Sequence, residues 1–130
     1  MEQTIFEKII AGEIPCTKVY EDEQFFAFLD INPVTKGHTL LLPKKPIVWM
    51  QDVDNELIAA IFVKAKELMI KIKGVVACDY VQVVVEGVSV PHFHIHLIPG
   101  YIGHKSAQWE HVKYENKEED IIAEKIRASL

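Results

Sequence analysis

The sequence predicts an α+β fold, a mostly antiparallel five-stranded sheet with helices packed on it. Three observations point there. Three segments rich in β-forming residues come early, and two more come late. One long segment of helical periodicity separates the two groups. Connections of hairpin length favour antiparallel pairing of the strands they join. No repeat, linker or low-complexity tract interrupts the chain, so residues 1–130 are expected to form one domain.

The elements follow in order. In "TIFEKIIAG", Thr4 and Glu7 make a T-x-x-E capping box, and Gly12 ends the short helix that it opens. Ile5, Phe6 and Ile9 are expected to turn inward. "TKVYED" and "FFAFLD" read as two strands of a hairpin. "INPVTKG" is a turn punctuated by Asn-Pro and Gly. "HTLLLPK" is the third strand, stopped by Pro43 and Pro46. In "DNELIAAIFVKAKELMIKIKG", Leu57, Ile58, Ile61, Phe62, Ala65, Leu68, Met69 and Ile72 recur at helical spacing, with Asp54 as the cap and Gly74 as the stop. "YVQVVVEG" and "HFHIHLIP" are the last two strands, joined through Glu86–Pro91. "NKEEDIIAEKIRASL" is a final helix capped near Asn116, with its acidic start favourable to the helix dipole. Ile122, Ile126 and Ser129 or Leu130 share one of its faces.

Composition limits the function. A net charge of −5 argues against a protein that wraps nucleic-acid backbone, which needs a basic face. It leaves room for one small phosphorylated ligand held by backbone amides and histidines. Cys16 and Cys78 form no metal-like cluster and read as free thiols in a reducing compartment. The start "MEQTIFEKII" lacks a basic region followed by an apolar run, and no segment reads as a membrane span. A soluble, cytoplasmic protein is expected, with no membrane partner.

"PHFHIHLIPGY" carries the chemistry. On a strand, His92, His94 and His96 project to one side, ~6.6 Å apart, while Phe93, Ile95 and Leu97 face a core. Two readings follow from that row. Neutral imidazoles can bind zinc. They can also act without metal, as nucleophile and proton donor toward phosphorus. Spacing alone does not choose between them.

The pattern His92-Phe-His94-Ile-His96-Leu-Ile98 resembles the signature of the histidine triad (HIT) family of nucleotide hydrolases and transferases. "TIFEKIIAGEIPCTKVYEDEQFFAFLDINPVTKGHTLLLPKK" is similar to the N-terminal half of the branch that contains the Hint nucleoside phosphoramidases. The resemblance covers about Thr4–Tyr101, and the remaining tail carries no diagnostic motif. It implies a HIT-like fold and a homodimer. It also implies hydrolysis at the α-phosphate of a purine nucleotide derivative through a covalent nucleotidyl-histidine. A dinucleoside polyphosphate hydrolase, or a nucleotide-binding module with weak turnover, is the alternative.

Residue by residue, the resemblance makes His94 the nucleophile. His92 and His96 hold phosphate oxygens and orient it, and His38 supports the network. Ser89 bonds the phosphate or the leaving group; by itself it reads as a turn serine, and His38 as a surface residue. Asp30 bonds the ribose hydroxyls and Ile31 packs near the sugar. Ile5, Phe6, Ile9, Ile14, Phe28 and Leu40 form the apolar slot for the base, which are equally ordinary core positions. The chain departs from its relatives before the triad. Val85 stands in place of an Asn, Val88 in place of a Gln, and the loop is shorter. These departures bear on leaving-group preference and turnover. Thr4, Glu7 and Pro46 stand where zinc-holding relatives carry ligands, so no zinc and no cofactor are expected. His104 and His111 read as surface residues, and Trp109 as packed on the body or near a partner's site.

Overall fold

A computed structural model describes residues 3–103 and 111–130. Along the chain come α1 (Ile5–Ile10), β1 (Lys18–Glu21), β2 (Phe25–Leu29), β3 (Thr39–Pro43), a 3-10 turn (Met50–Asp52), α2 (Asn55–Val76), β4 (Tyr80–Glu86), β5 (His94–Gly100) and α3 (Glu118–Ser129). The strands form one sheet in the order β1-β2-β3-β5-β4, and every neighbouring pair is antiparallel. The expected α+β architecture is present, with the five-stranded sheet antiparallel throughout.

Both faces of this sheet are covered. All residues of the inner strands β2 and β3 are buried. Strand alternation sends Phe25, Ala27, Leu29 and Leu41 to one face, where they join Leu57, Ile61, Ala65, Leu68 and Ile72 of α2 and Ala123 and Ile126 of α3. Phe26, Phe28, Leu40 and Leu42 go to the other face and meet Phe6 and Ile9 of α1. A helix as short as α1 is marginal alone. Its capping box closes in both directions, with Thr4 and Glu7 each accepting the other's backbone N–H at 3.2 Å. The packing of Phe6 and Ile9 then holds it on the sheet. Ile5 points the other way and is 49% exposed, contrary to the sequence expectation. Six residues present less than two turns, and the buried stripe runs through Phe6 and Ile9.

Three boundaries differ from the sequence reading. Helix α2 passes Gly74 and ends at Ala77, which adopts φ 55°. Val75 and Val76 still pack on the core, so the helix gains from the extra residues. Strand β5 starts at His94 rather than His92, because Phe93 donates its N–H to Ile47 O at 2.6 Å. Helix α3 begins after Lys117, which adopts φ 61° and caps with no side chain; Asn116 precedes it at φ 51°.

The C-terminal segment clasps the turn between β2 and β3. Val112 donates its N–H to Pro33 O at 2.8 Å, and the Tyr114 hydroxyl accepts from Gly37 N at 2.9 Å. Gly37 has φ +97° and lies so close to α2 that a Cβ there would stand 2.9 Å from Val76 Cγ1. His104 and Trp109 lie outside the described residues. Among those described, no helix is long and apolar enough to cross a membrane. Cys16 is an exposed free thiol and Cys78 a buried one.

Candidate functional site

The histidines lie on the α1 side of the sheet. Register sets Leu40 and Val84 opposite His96, and Glu86 opposite His94. Phe93, Ile95 and Leu97 fill the core on the far side. His38, His92 and His94 are almost fully buried. Phe6 lies edge-on to both His92 and His94, with centroids 6.0 and 4.8 Å apart.

Hydrogen bonds assign the tautomers. Val34 N–H donates to His38 Nδ1 at 3.0 Å, so the His38 proton sits on Nε2. That Nε2 lies 2.8 Å from His96 Nδ1 and donates to it. The His96 proton is therefore on Nε2, which faces Glu86 Oε2 at 3.2 Å. His94 Nδ1 lies 2.7 Å from His92 O. A carbonyl only accepts, so His94 carries its proton on Nδ1 and a free lone pair on Nε2. His92 Nε2 donates to Pro43 O at 2.7 Å, and its buried Nδ1 has no partner among the described residues. His92 thus anchors the carbonyl that orients His94; its own ring is fully buried. The outcome is one lone pair, on His94, beside one N–H donor, on His96.

Phe6, Ile9, Phe28 and Leu40, expected to line a slot for the base, lie with Phe26 and Leu42 in one buried apolar cluster, with Ile14 and Val90 packed against it. Ile5 is absent from it. Asp30 accepts from Asn32 N at 2.9 Å through Oδ1, while Oδ2 lies 3.6 Å from His38 Nε2. Ile31 is 89% exposed beside it. Ser89 is exposed, and its N–H reaches Glu86 Oε1 at 2.7 Å. His111 is exposed as expected, and Nδ1 lies 2.5 Å from Asn32 O.

Residues 11–103 match the sequence profile of the HIT domain. The chain belongs to the HIT family. It is 41% identical over 109 residues to the "Protein hit" of Bacillus subtilis, covering 77% of this chain and 72% of that one. Among solved structures, a Hit-like protein from Bartonella henselae, described as involved in cell-cycle regulation, superposes with a TM-score of 0.85 at 32% identity, over 98% of this chain and 97% of that one. A hypothetical histidine triad nucleotide-binding protein from Sulfolobus tokodaii superposes with a TM-score of 0.83 at 32% identity, over 95% and 89% of the two chains.

The electrostatics of this HIT site follow from burial. Burial lowers the His38 pKa to about 3, assisted by the neighbouring His96. Burial also lowers His92 and His94, so His94 is neutral and its lone pair available at neutral pH. Burial raises Asp30, against the opposing Asn32 N–H. Partial burial pulls the Glu86 carboxyl upward, but hydrogen bonds from Ser89 and His96 outweigh it and bring it to about 2.

Glu86 is the residue the sequence reading missed. Read alone, it closed a strand. Only the β4–β5 register, which depends on the turn length, sets it opposite His94. The same register turns Val85 toward Ile95, on the face away from the imidazoles. Val88 is exposed in the loop.

Among the described residues, two sets of side chains, Asp30, His38, His96 and Glu86, His94, His96, have potential metal-ligand atoms within 4.8 Å of one another. In the first set the proton that His38 Nε2 and His96 Nδ1 share stands in the way of a cation.

The buried imidazoles also predict acid lability. His38 titrates at 6.5 when unfolded and about 3 when folded. Below pH 6.5 the unfolded chain binds the extra proton. The stability contributed by the neutral ring is complete above pH 6.5 and is lost as pH falls toward 3. At pH 5, His38 alone should cost about 2 kcal/mol, and His92 and His94 act in the same direction. Urea melts at pH 7.5 and pH 5 read this directly. Equal stabilities would contradict it.

Proposed function

We propose that this HIT protein is a Hint-type hydrolase of purine nucleotide derivatives, with His94 as nucleophile. The observation that carries the reading is the tautomer wiring, which leaves the His94 Nε2 lone pair beside the His96 Nε2–H donor. A phosphoryl group needs that pair of groups, one to attack phosphorus and one to hold a non-bridging oxygen. The nucleotide-binding description of the Sulfolobus tokodaii relative supports the same substrate class.

In the first step the Nε2 lone pair forms an N–P bond. The bond from phosphorus to the leaving nitrogen or oxygen breaks, and the leaving group departs with that electron pair and takes up a proton from solvent. In the second step water oxygen attacks phosphorus and gives its proton to solvent, and the N–P electrons return to His94. The products are a nucleoside monophosphate and the free amine, or the corresponding phosphate. Asp30 would accept from the ribose hydroxyls, with Ile31 beside the sugar. The slot around Phe6, Ile9, Phe28 and Leu40 would take the base. Ser89 would bond the phosphate or the leaving group.

A homodimer belongs to this proposal. Strand β4 ends the sheet, and Val83 and Val85 on it are partly exposed, which suits edge-to-edge pairing with a second copy. The second reading, a nucleotide-binding module with weak turnover, is favoured by the covering of His94, whose side chain is 2% exposed.

The test is rapid quenching of the protein with adenosine 5′-phosphoramidate at neutral pH, followed by mass analysis of its peptides. An adenylyl group on the peptide carrying His94, formed and lost at the rate of AMP release, is the expected result. AMP release without any adduct would overturn the mechanism. AMP binding without release would favour the module.

A further inference from the structure

We infer that Glu86 sets the substrate specificity of the site, its carboxylate admitting nucleotidyl groups with neutral or cationic leaving groups and disfavouring polyphosphates. The inference rests on the reading of His94 as the nucleophile, and it deepens that reading by naming the leaving-group class.

The carboxylate stands where a phosphoryl group must come. Its Oε2 is 3.2 Å from His96 Nε2 and 3.7 Å from His94 Nε2. Those two nitrogens are the donor and the lone pair of the proposed chemistry. Glu86 Oε2 therefore occupies the volume of a non-bridging oxygen, with the same charge and the same His96 donor. A carboxylate in this seat covers His94, whose side chain is 2% exposed while that of Glu86 is 32% exposed.

The protein holds Glu86 there from both sides. Its other oxygen accepts from Ser89 N at 2.7 Å. The following residue, Gly87, is pressed on a neighbouring segment, where a Cβ would stand 2.4 Å from Val48 O. Farther on, Phe93 N–H is tied to Ile47 O at 2.6 Å. The loop between β4 and β5 is thus fastened to Ile47 and Val48. A substrate can displace the flexible end of the Glu86 side chain, but the fastened loop keeps its charge within a few ångströms.

Charge then decides between substrates. With a pKa of about 2, Glu86 is ionised at neutral pH. The α-phosphoryl group can compensate for that charge through the His96 N–H. Additional phosphates in a leaving group can reach the Ser89 hydroxyl, which carries no charge to offset the carboxylate. Val88 and Val85 supply no donor, and Val85 faces away. Each added phosphate meets the carboxylate as a like charge, whereas an ammonium on the leaving group meets it as an opposite one.

The experiment compares wild type, Glu86→Gln and Glu86→Asp on two substrates, an adenosine 5′-phosphoramidate with an aminoalkyl leaving group and a diadenosine polyphosphate. The ratio of the two kcat/KM values, phosphoramidate over polyphosphate, should fall about tenfold in Glu86→Gln and be largely kept in Glu86→Asp. Added salt should lower the ratio in wild type and leave it unchanged in Glu86→Gln. A salt-independent ratio, equal in wild type and Glu86→Gln, would overturn the inference.

Binding of AMP and ATP, measured by calorimetry on the same proteins, separates this from the proposed reaction. If no protein cleaves either substrate, the hydrolase reading fails. The preference for AMP over ATP, lost in Glu86→Gln, would still support the charge selection. Equal affinities for AMP and ATP in wild type would refute it.

Discussion

His94→Ala should lower turnover on the order of 10³-fold or more and leave nucleotide affinity nearly unchanged. His94 Nδ1 is committed to His92 O at 2.7 Å, so the reactive electrons are confined to Nε2. His38 holds its proton toward His96, and His96 holds its own toward the phosphate seat. Neither can supply a second lone pair in that position. Alanine removes the nucleophile, but Asp30, the slot around Phe6 and Phe28, and the His96 donor stay in place. AMP release and AMP affinity, measured side by side, test this. A variant that cleaves at the wild-type rate would eliminate His94 as nucleophile. A variant that loses affinity and rate together would show that the ring mainly shapes the pocket.

Phe93→Ala should cost about 3–5 kcal/mol of stability, enough to lower Tm by roughly 10 °C or more. Phe93 is 1% exposed and sits between the imidazoles of His92 and His94 in sequence, with its ring on the opposite side of the sheet. It joins Leu41, Ile61, Leu68 and Ile95 in the larger core. Truncation leaves a void in the middle of two packed layers, where neighbours on strands cannot easily close it. The same residue fixes the backbone between the histidines through its bond to Ile47 O. A thermal melt with denaturant titration measures the loss. A change below about 1 kcal/mol would mean that the core around Phe93 refills.

Much of this was legible in the sequence because alternation and helical spacing are strong signals. The strand pattern of "FFAFLD" and "HTLLLPK" correctly gave two strands, and the stripe from Leu57 to Ile72 gave α2 with its buried face. The capping box at Thr4 and Glu7 formed as read. The row of histidines was legible as a shared face, although His92 lies before β5 and is fully buried. What the sequence hid depends on distance along the chain. Glu86 gains its meaning only from register with His94. Tyr114 reaches Gly37 across 77 positions. Gly74 carries a strong stop signal locally, yet the packing of Val75 and Val76 carries α2 past it. Ile5 matched a slot position, but a helix this short has only one buried stripe, and Phe6 and Ile9 occupy it.

The clasp of Val112 and Tyr114 on Pro33 and Gly37 has a consequence for synthesis. The turn it fastens runs from Asp30 to His38, and the layer beneath it is finished only by Ala123 and Ile126 of α3. A ribosome makes His38, His92, His94 and His96 before it makes these closing residues. While residues 112–126 are still inside the exit tunnel, the sheet can pair but the turn from Asp30 to His38 lacks its brace. The proposed activity therefore waits for these residues to emerge, and a nascent chain that lacks them, though it holds every proposed catalytic residue, should still be silent.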